Sequence, residues 1–175
     1  NEKPLDFPLT GTETRDEWRM KTIELLKKFN RQKLLSAGYI LTKAVERSVP
    51  ILKTYAGSHP VINDISFTSS FGQVLLNGTS TNFYSGTDDA PLLIIDFGGN
   101  DYYSGPAATG VDGHVKLVID IGGNDTYQND TDTGPAAGIW GIGILVDCAG
   151  NDLYQSRTFG LGCGLFGIGF LIDET

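Results

Sequence analysis

Aspartate is the residue whose spacing in this chain carries chemistry. Asp96, Asp120, Asp147 and Asp173 each follow an apolar triplet: Leu93-Ile94-Ile95, Leu117-Val118-Ile119, Ile144-Leu145-Val146 and Phe170-Leu171-Ile172. Five residues beyond the first three stand Asp101, Asp125 and Asp152, each inside Gly-Asn-Asp-x-Tyr. Carboxylates set among Asn side chains and glycine-rich turns are the oxygen-only donor set that a hard divalent cation takes, Ca²⁺ above all. The seven aspartates are therefore candidate metal ligands. The competing reading is that they cap and hydrogen-bond turns, as Asx residues commonly do.

What must position them is a repeat. With the leading Asn or Asp of each copy taken as position 0, the anchors are Asn77, Asp96, Asp120, Asp147 and Asp173, at intervals of 19, 24, 27 and 26. Positions −3 to −1 are apolar in every copy, and position +7 is Tyr84, Tyr103, Tyr127 and Tyr154. Position −10 is small, at Gly86, Gly110, Ala137 and Cys163. A unit of this length holds two or three short strands and cannot bury its own apolar side, but stacked units can. The expectation is a mainly β chain: a short parallel β-solenoid of about four to five coils, 19–27 residues each, packed or capped by one or two N-terminal amphipathic helices. An antiparallel hairpin array with Gly-Asn-Asp in each turn is the rival architecture.

Stacking places like charges in columns. Unit charges ~5 Å apart repel by roughly 3 kcal/mol at an effective dielectric of 20. Protonation, separation into solvent, or a cation between coils would relieve this. The first copy, with Asn77 and Asn82 in place of both aspartates, escapes the problem, and no metal is expected there. These turns resemble the core of the calcium-binding nonapeptide of RTX proteins, Gly-Gly-x-Gly-x-Asp-x-apolar-x. The resemblance covers Gly99-Asn100-Asp101, Gly123-Asn124-Asp125 and Gly150-Asn151-Asp152 with the tyrosines that follow. It implies Ca²⁺ in the turns of a parallel β-roll, with Asp101, Asp125 and Asp152 as ligands and the glycines shaping the turn.

The two halves of the chain differ. Residues 1–57 read as a helical cap and 58–175 as the repeat region. Pro4 and Pro8 mark an extended lead-in, and Thr14 to Glu17 form a capping box. Trp18, Leu25, Leu26 and Phe29, then Leu34, Leu35, Leu41 and Val45, follow helical spacing, with Pro50 expected to end or kink the second helix. Both faces of the triplet strand are apolar. The residues at −2 (Ile94, Val118, Leu145 and Leu171) are expected on an outer face covered by these helices or by another subunit. Gly138 to Gly143 matches Gly164 to Gly169 as Gly-x-x-Gly-x-Gly leading into a strand, which predicts close backbone approach rather than a nucleotide loop.

Composition sets the remaining bounds. Net charge is −8, which disfavours nucleic acid and anionic membrane and suits cations. Cys148 and Cys163 are too few for a disulfide framework, and Cys163 reads as a packed small residue. No apolar run reaches membrane length. The chain starts at Asn1, so a removed leader and a secreted or cell-surface location are expected. Asn77, Asn124 and Asn129 match the N-glycosylation pattern. No catalytic or zinc motif occurs. Asp112, His114, Lys116, Asp132 and Arg157 would be the acid–base set if they shared one face, as a carbohydrate-binding or polysaccharide-cleaving β-helix would require. The favoured expectation is an extracellular structural module, calcium-stabilised and able to assemble end to end into a filament through its C-terminal solenoid edge, as a homo-oligomer.

Overall fold

A computed structural model describes residues 15–85, 90–105, 107–130 and 132–174. Pro4, Pro8, Thr14, Gly86 and the Trp18 side chain lie outside the described parts.

Helix α1 (Arg15–Lys28) and helix α2 (Arg31–Ser58) come first. Asn30 separates them, its side-chain oxygen accepting the Lys33 amide at 2.9 Å as the N-cap of α2. Helix α2 runs on through Pro50 to Ser58. Pro50 and Glu46 are exposed, so the carbonyl that loses its helical partner can be solvated, and the proline does not end the helix.

Thirteen strands among the described residues form three sheets. The helix-facing sheet runs in the order β1 (Ile65–Ser69), β2 (Gly72–Asn77), β4 (Leu93–Asp96), β7 (Val115–Asp120), β10 (Ile142–Asp147) and β13 (Ile168–Asp173). The tyrosine sheet holds β3 (Phe83–Ser85), β5 (Tyr102–Ser104), β8 (Thr126–Asn129) and β11 (Leu153–Ser156). The glycine sheet holds β6 (Gly110–Val111), β9 (Gly138–Ile139) and β12 (Gly164–Leu165). Successive strands lie in successive sheets, so the chain winds as a three-sided β-solenoid. Three turns are complete, β4-β5-β6, β7-β8-β9 and β10-β11-β12. The copies at Asn77 and Asp173 contribute partial turns.

Among the described strands all strand-to-strand pairings are parallel except β1 with β2. The parallel register rules out the hairpin array. It also aligns the repeat as its columns predict. Asn77, Asp96, Asp120, Asp147 and Asp173 pair in one row, and Tyr84, Tyr103, Tyr127 and Tyr154 in another. The antiparallel β1 covers the edge of β2 that no earlier coil could fill.

The −10 column needs correction. Gly110 pairs with Gly138 and Gly138 with Gly164, so Ala137 and Cys163 fall outside the column. The corner after β6 carries one extra residue, Gly113, so positions counted back from the anchor slip by one. The Gly-x-x-Gly-x-Gly match holds in register, and close approach explains its glycines. A Cβ on Gly138 would stand 2.1 Å from the Ile168 carbonyl oxygen, and one on Gly143 would stand 2.3 Å from that of Ala108. Trp140 and Phe166 stack at 4.6 Å on the adjoining corner, and Phe29 packs edge-on against both.

Two apolar layers flank the helix-facing sheet. Ile119, Ile144 and Val146 meet Val45 and Val49 of α2 on the outside. Ile94, Val118 and Leu145 meet Tyr103, Tyr127 and Ala136 inside the solenoid. The helix does cover the outer face, but positions −3 and −1 form that face. The −2 residues point inward, because the chain turns towards the tyrosine sheet on their side. Cys148 is buried in the helix-side layer, and both cysteines are free.

Candidate metal centre

The corner between the helix-facing and tyrosine sheets brings the aspartate columns together. Each position-0 aspartate ends a strand, and Asp96 and Asp120 also cap the turn that follows. Oδ1 of Asp96 accepts the Gly98 amide, and Oδ1 of Asp120 the Gly122 amide, both at 3.1 Å. Gly98 and Gly99 each have φ of +136°, a conformation that disfavours any side chain.

Seven residues on, the tyrosine has crossed the turn, and its hydroxyl reaches a position-0 aspartate of its own turn or of the next. Tyr84 donates to Asp96 Oδ2. Tyr103 and Tyr127 donate to Asp120 Oδ2 at 2.8 and 3.2 Å, and Tyr154 to Asp147 Oδ2 at 3.1 Å. The rings stack at 4.5, 4.5 and 5.0 Å along the axis. Sequence reasoning found the stack but missed the hydroxyl bonds. Tyr127 and Tyr154 bond the aspartate seven residues before them, whereas Tyr84 and Tyr103 reach forward to Asp96 and Asp120 of the next turn, so the signal is the pair of aligned Asp and Tyr columns and not one fixed spacing.

The Asn-Asp pair forms two further ladders. The Asn124 amide donates to Asn100 Oδ1 and the Asn151 amide to Asn124 Oδ1, both at 2.9 Å. Each +5 carboxylate leans towards the preceding turn. Asp101 Oδ1 accepts the Asn82 amide at 2.6 Å, Asp125 Oδ1 the Asp101 amide at 2.6 Å, and Asp152 Oδ1 the Asp125 amide at 2.7 Å. Each turn leaves at least one oxygen over, and the turn of Asp147 and Asp152 leaves two. Oδ2 of Asp101, Asp125 and Asp152, with Oδ1 of Asp147 and of Asn82, are buried without a hydrogen-bond partner among the described residues. Native proteins leave few such atoms, and each needs an account.

These oxygens converge. Asp101, Asp120 and Asp125 offer carboxylate oxygens within 4.8 Å of one another, and so do Asp125, Asp147 and Asp152. Asp125 belongs to both groups. Asp96, Asp120 and Asp147 are 0% exposed, Asp125 1% and Asp101 3%. The glycine before each Asn-Asp pair leaves room beside them. A Cβ on Gly123 would stand 1.9 Å from the Gly99 carbonyl oxygen and 2.7 Å from Asp125 Oδ1. One on Gly150 would stand 1.9 Å from the Gly123 carbonyl oxygen and 2.6 Å from Asp152 Oδ1. Carboxylates, a turn carbonyl and a gap only glycine keeps open make an all-oxygen cradle, which fits a hard cation.

Electrostatics agree with the crowding. Burial first, then neighbouring carboxylates, push Asp125 up to about 8 and Asp147 to about 7. Burial likewise lifts Asp96 to about 7 and Asp101 to about 6, and raises Asp120 and Asp152. Burial and the adjacent aspartates raise the tyrosines too, which keeps their hydroxyls as donors.

Of the seven predicted ligands, five fall in the two carboxylate groups. Asp96 lies outside them with both oxygens bonded, and Asp173 is exposed and joins neither. The proposed acid–base set is not brought together. Asp112 and His114 lie at the corner between β6 and β7, Lys116 is in β7, and Asp132 and Arg157 follow β8 and β11 at the opposite corner of the glycine sheet. Asn124 serves the ladder, and Asn129 is 3% exposed. No helix is long and apolar enough to cross a membrane among the described residues. Compared with known proteins, the chain matches no family model, no curated protein and no solved structure.

Proposed function

We propose that this chain is an extracellular or cell-surface structural repeat module whose solenoid is stabilised by Ca²⁺ bound between turns. The observation that carries the reading is the row of buried, unpartnered carboxylate oxygens at Asp101, Asp125, Asp147 and Asp152. Asp101, Asp120 and Asp125 would hold one ion, and Asp125, Asp147 and Asp152 the next. The donors are oxygens without histidine or thiolate, which favours Ca²⁺ over a transition metal. The local likeness to RTX turns points the same way. Calcium is plentiful outside cells, where modules with modest affinity remain loaded. When bound, the ion supplies positive charge and bridging coordination, and the aspartates tie one turn to the next. Self-association along the axis belongs to the same reading, since Phe170 and Ile172 of β13 are exposed at 41% and 42%.

A thermal melt in EDTA and in millimolar Ca²⁺ tests this. At free calcium about 100 times Kd, each site adds about 2.7 kcal/mol. For a chain of this size that is roughly 5–10 °C per site. An unchanged melting temperature overturns the calcium reading. Sedimentation velocity tests the assembly, and a single monomeric boundary at high concentration overturns it.

A further inference from the structure

A candidate third site lies one turn earlier and does not need a third carboxylate. It rests on the calcium reading and extends it to the copy whose aspartates are both replaced by asparagine. Asn82 occupies the position of Asp101, Asp125 and Asp152, because Phe83, Tyr102, Thr126 and Leu153 are register partners and each follows one of them. Asp96 likewise occupies the position of Asp120 and Asp147. The group Asn82, Asp96 and Asp101 is thus the translated equivalent of the two carboxylate groups.

Three observations make it a site. Asn82 Oδ1 is buried with no partner among the described residues, although a side-chain amide oxygen is a strong acceptor. Asp101 is 3% exposed, accepts the Asn82 amide through Oδ1, and leaves Oδ2 without a partner. The glycine cradle repeats as well, for a Cβ on Gly99 would stand 2.5 Å from the Ser80 carbonyl oxygen and 2.8 Å from Asp101 Oδ1. Ser80 lies three residues after Asn77, as Gly99 and Gly123 lie three after Asp96 and Asp120.

We propose that Asn82, Asp96, Asp101 and the Ser80 carbonyl bind a third Ca²⁺, more weakly than the two downstream sites. Charge balance supports the count. Six carboxylates line the column, Asp96, Asp101, Asp120, Asp125, Asp147 and Asp152. Three divalent ions match them in charge, whereas two leave two carboxyls to be neutralised by protons. The weaker affinity follows from ligand charge, since an amide replaces one carboxylate.

The test is a competitive chelator titration with CaCl₂ at neutral pH on the full chain and two variants. The expected result is three Ca²⁺ per chain, one bound at least tenfold more weakly than the others. Asn82→Asp is expected to tighten that one at least tenfold, and Asn82→Ala to remove it while two remain. Two Ca²⁺ in the full chain, with affinities untouched by Asn82→Asp, overturns the third site and leaves the calcium reading intact. No Ca²⁺ bound in the full chain overturns both. Should Asn82→Asp fail to fold, the stoichiometry of the full chain and of Asn82→Ala still decides.

Discussion

Asp125→Asn separates a cation ligand from an ordinary turn-capping aspartate. The asparagine oxygen can keep the 2.6 Å bond from the Asp101 amide, so the local ladder survives. What disappears is a charge shared by both carboxylate groups. Without cation, burial pushes Asp125 from 3.8 up to about 8, so at pH 7 folding must draw a proton onto it. Each factor of ten in that proton equilibrium is about 1.4 kcal/mol, which puts the cost near 4 kcal/mol. Asparagine avoids that cost but buries an amide of its own, so a net gain of about 2–4 kcal/mol is expected in EDTA. The melting temperature should rise by roughly 5–15 °C. In saturating Ca²⁺ the order should reverse, because the variant loses a ligand from two sites at once. Differential scanning calorimetry in EDTA and in CaCl₂, on both proteins, reads all four values. If Asp125→Asn melts below the natural chain in EDTA, the carboxylate is a plain structural acceptor and the crowding argument fails. If its calcium increment equals that of the natural chain, Asp125 is no ligand.

Other expectations follow from the same corner. In EDTA the stability of the chain should fall as pH rises from about 4 to 8. Asp96, Asp101, Asp125 and Asp147 hold protons up to about 6–8 in the fold against 3.8 when unfolded, so the folded state binds more protons across that window. Chemical denaturation at several pH values should show the slope, and saturating Ca²⁺ should invert it. Tyr127→Phe keeps the ring stack but loses the hydroxyl bond to Asp120, which still has Tyr103; a cost of about 1 kcal/mol in urea denaturation is expected. Gly123→Ala should cost more than ~2 kcal/mol and abolish the response to Ca²⁺, because its Cβ meets a backbone carbonyl inside the cradle. Gly38→Ala is the control. Its Cβ would stand 2.3 Å from the Ile168 Cδ1 methyl, the movable end of a side chain, so its cost should be smaller and its calcium response intact.

Much of the fold was legible because a solenoid repeats its instructions. Apolar triplets, Asp, Asn-Asp and Tyr recur at fixed offsets, and parallel stacking turns each offset into a column. What failed were features that occur once or depend on direction. The Gly113 insertion shifts a corner by one residue, and counting from the anchor cannot place it. Which face of Leu93–Asp96 looks inward depends on the sense in which the chain turns at the corner, and alternation alone leaves that open. The antiparallel β1 belongs to no repeat, so the columns could not predict it. In the site, the position of each aspartate was legible but the grouping was not. The carboxylates lean back by one turn, so each group draws on two turns rather than on one copy of the motif. For the same reason the first copy, uncharged in itself, still faces Asp96 and Asp101.

Repetition also multiplies a local shortfall. At this corner the Gly98 and Gly122 amides, the tyrosine hydroxyls and the Asn82, Asp101 and Asp125 amides each serve one carboxylate oxygen. In a one-off turn, a single spare oxygen could reach water. Here it lies between stacked turns, and the next turn brings another spare oxygen instead of a donor. Two fillers resolve the mismatch, a proton on every second or third carboxyl or a cation between turns. A proton makes stability fall with rising pH in every buffer. A cation makes it fall only in chelator. The unpartnered Asn82 oxygen fits either filler, since an amide oxygen does not protonate near neutrality but accepts from a protonated carboxyl or ligates a cation, so the pH dependence with and without chelator is what separates the two.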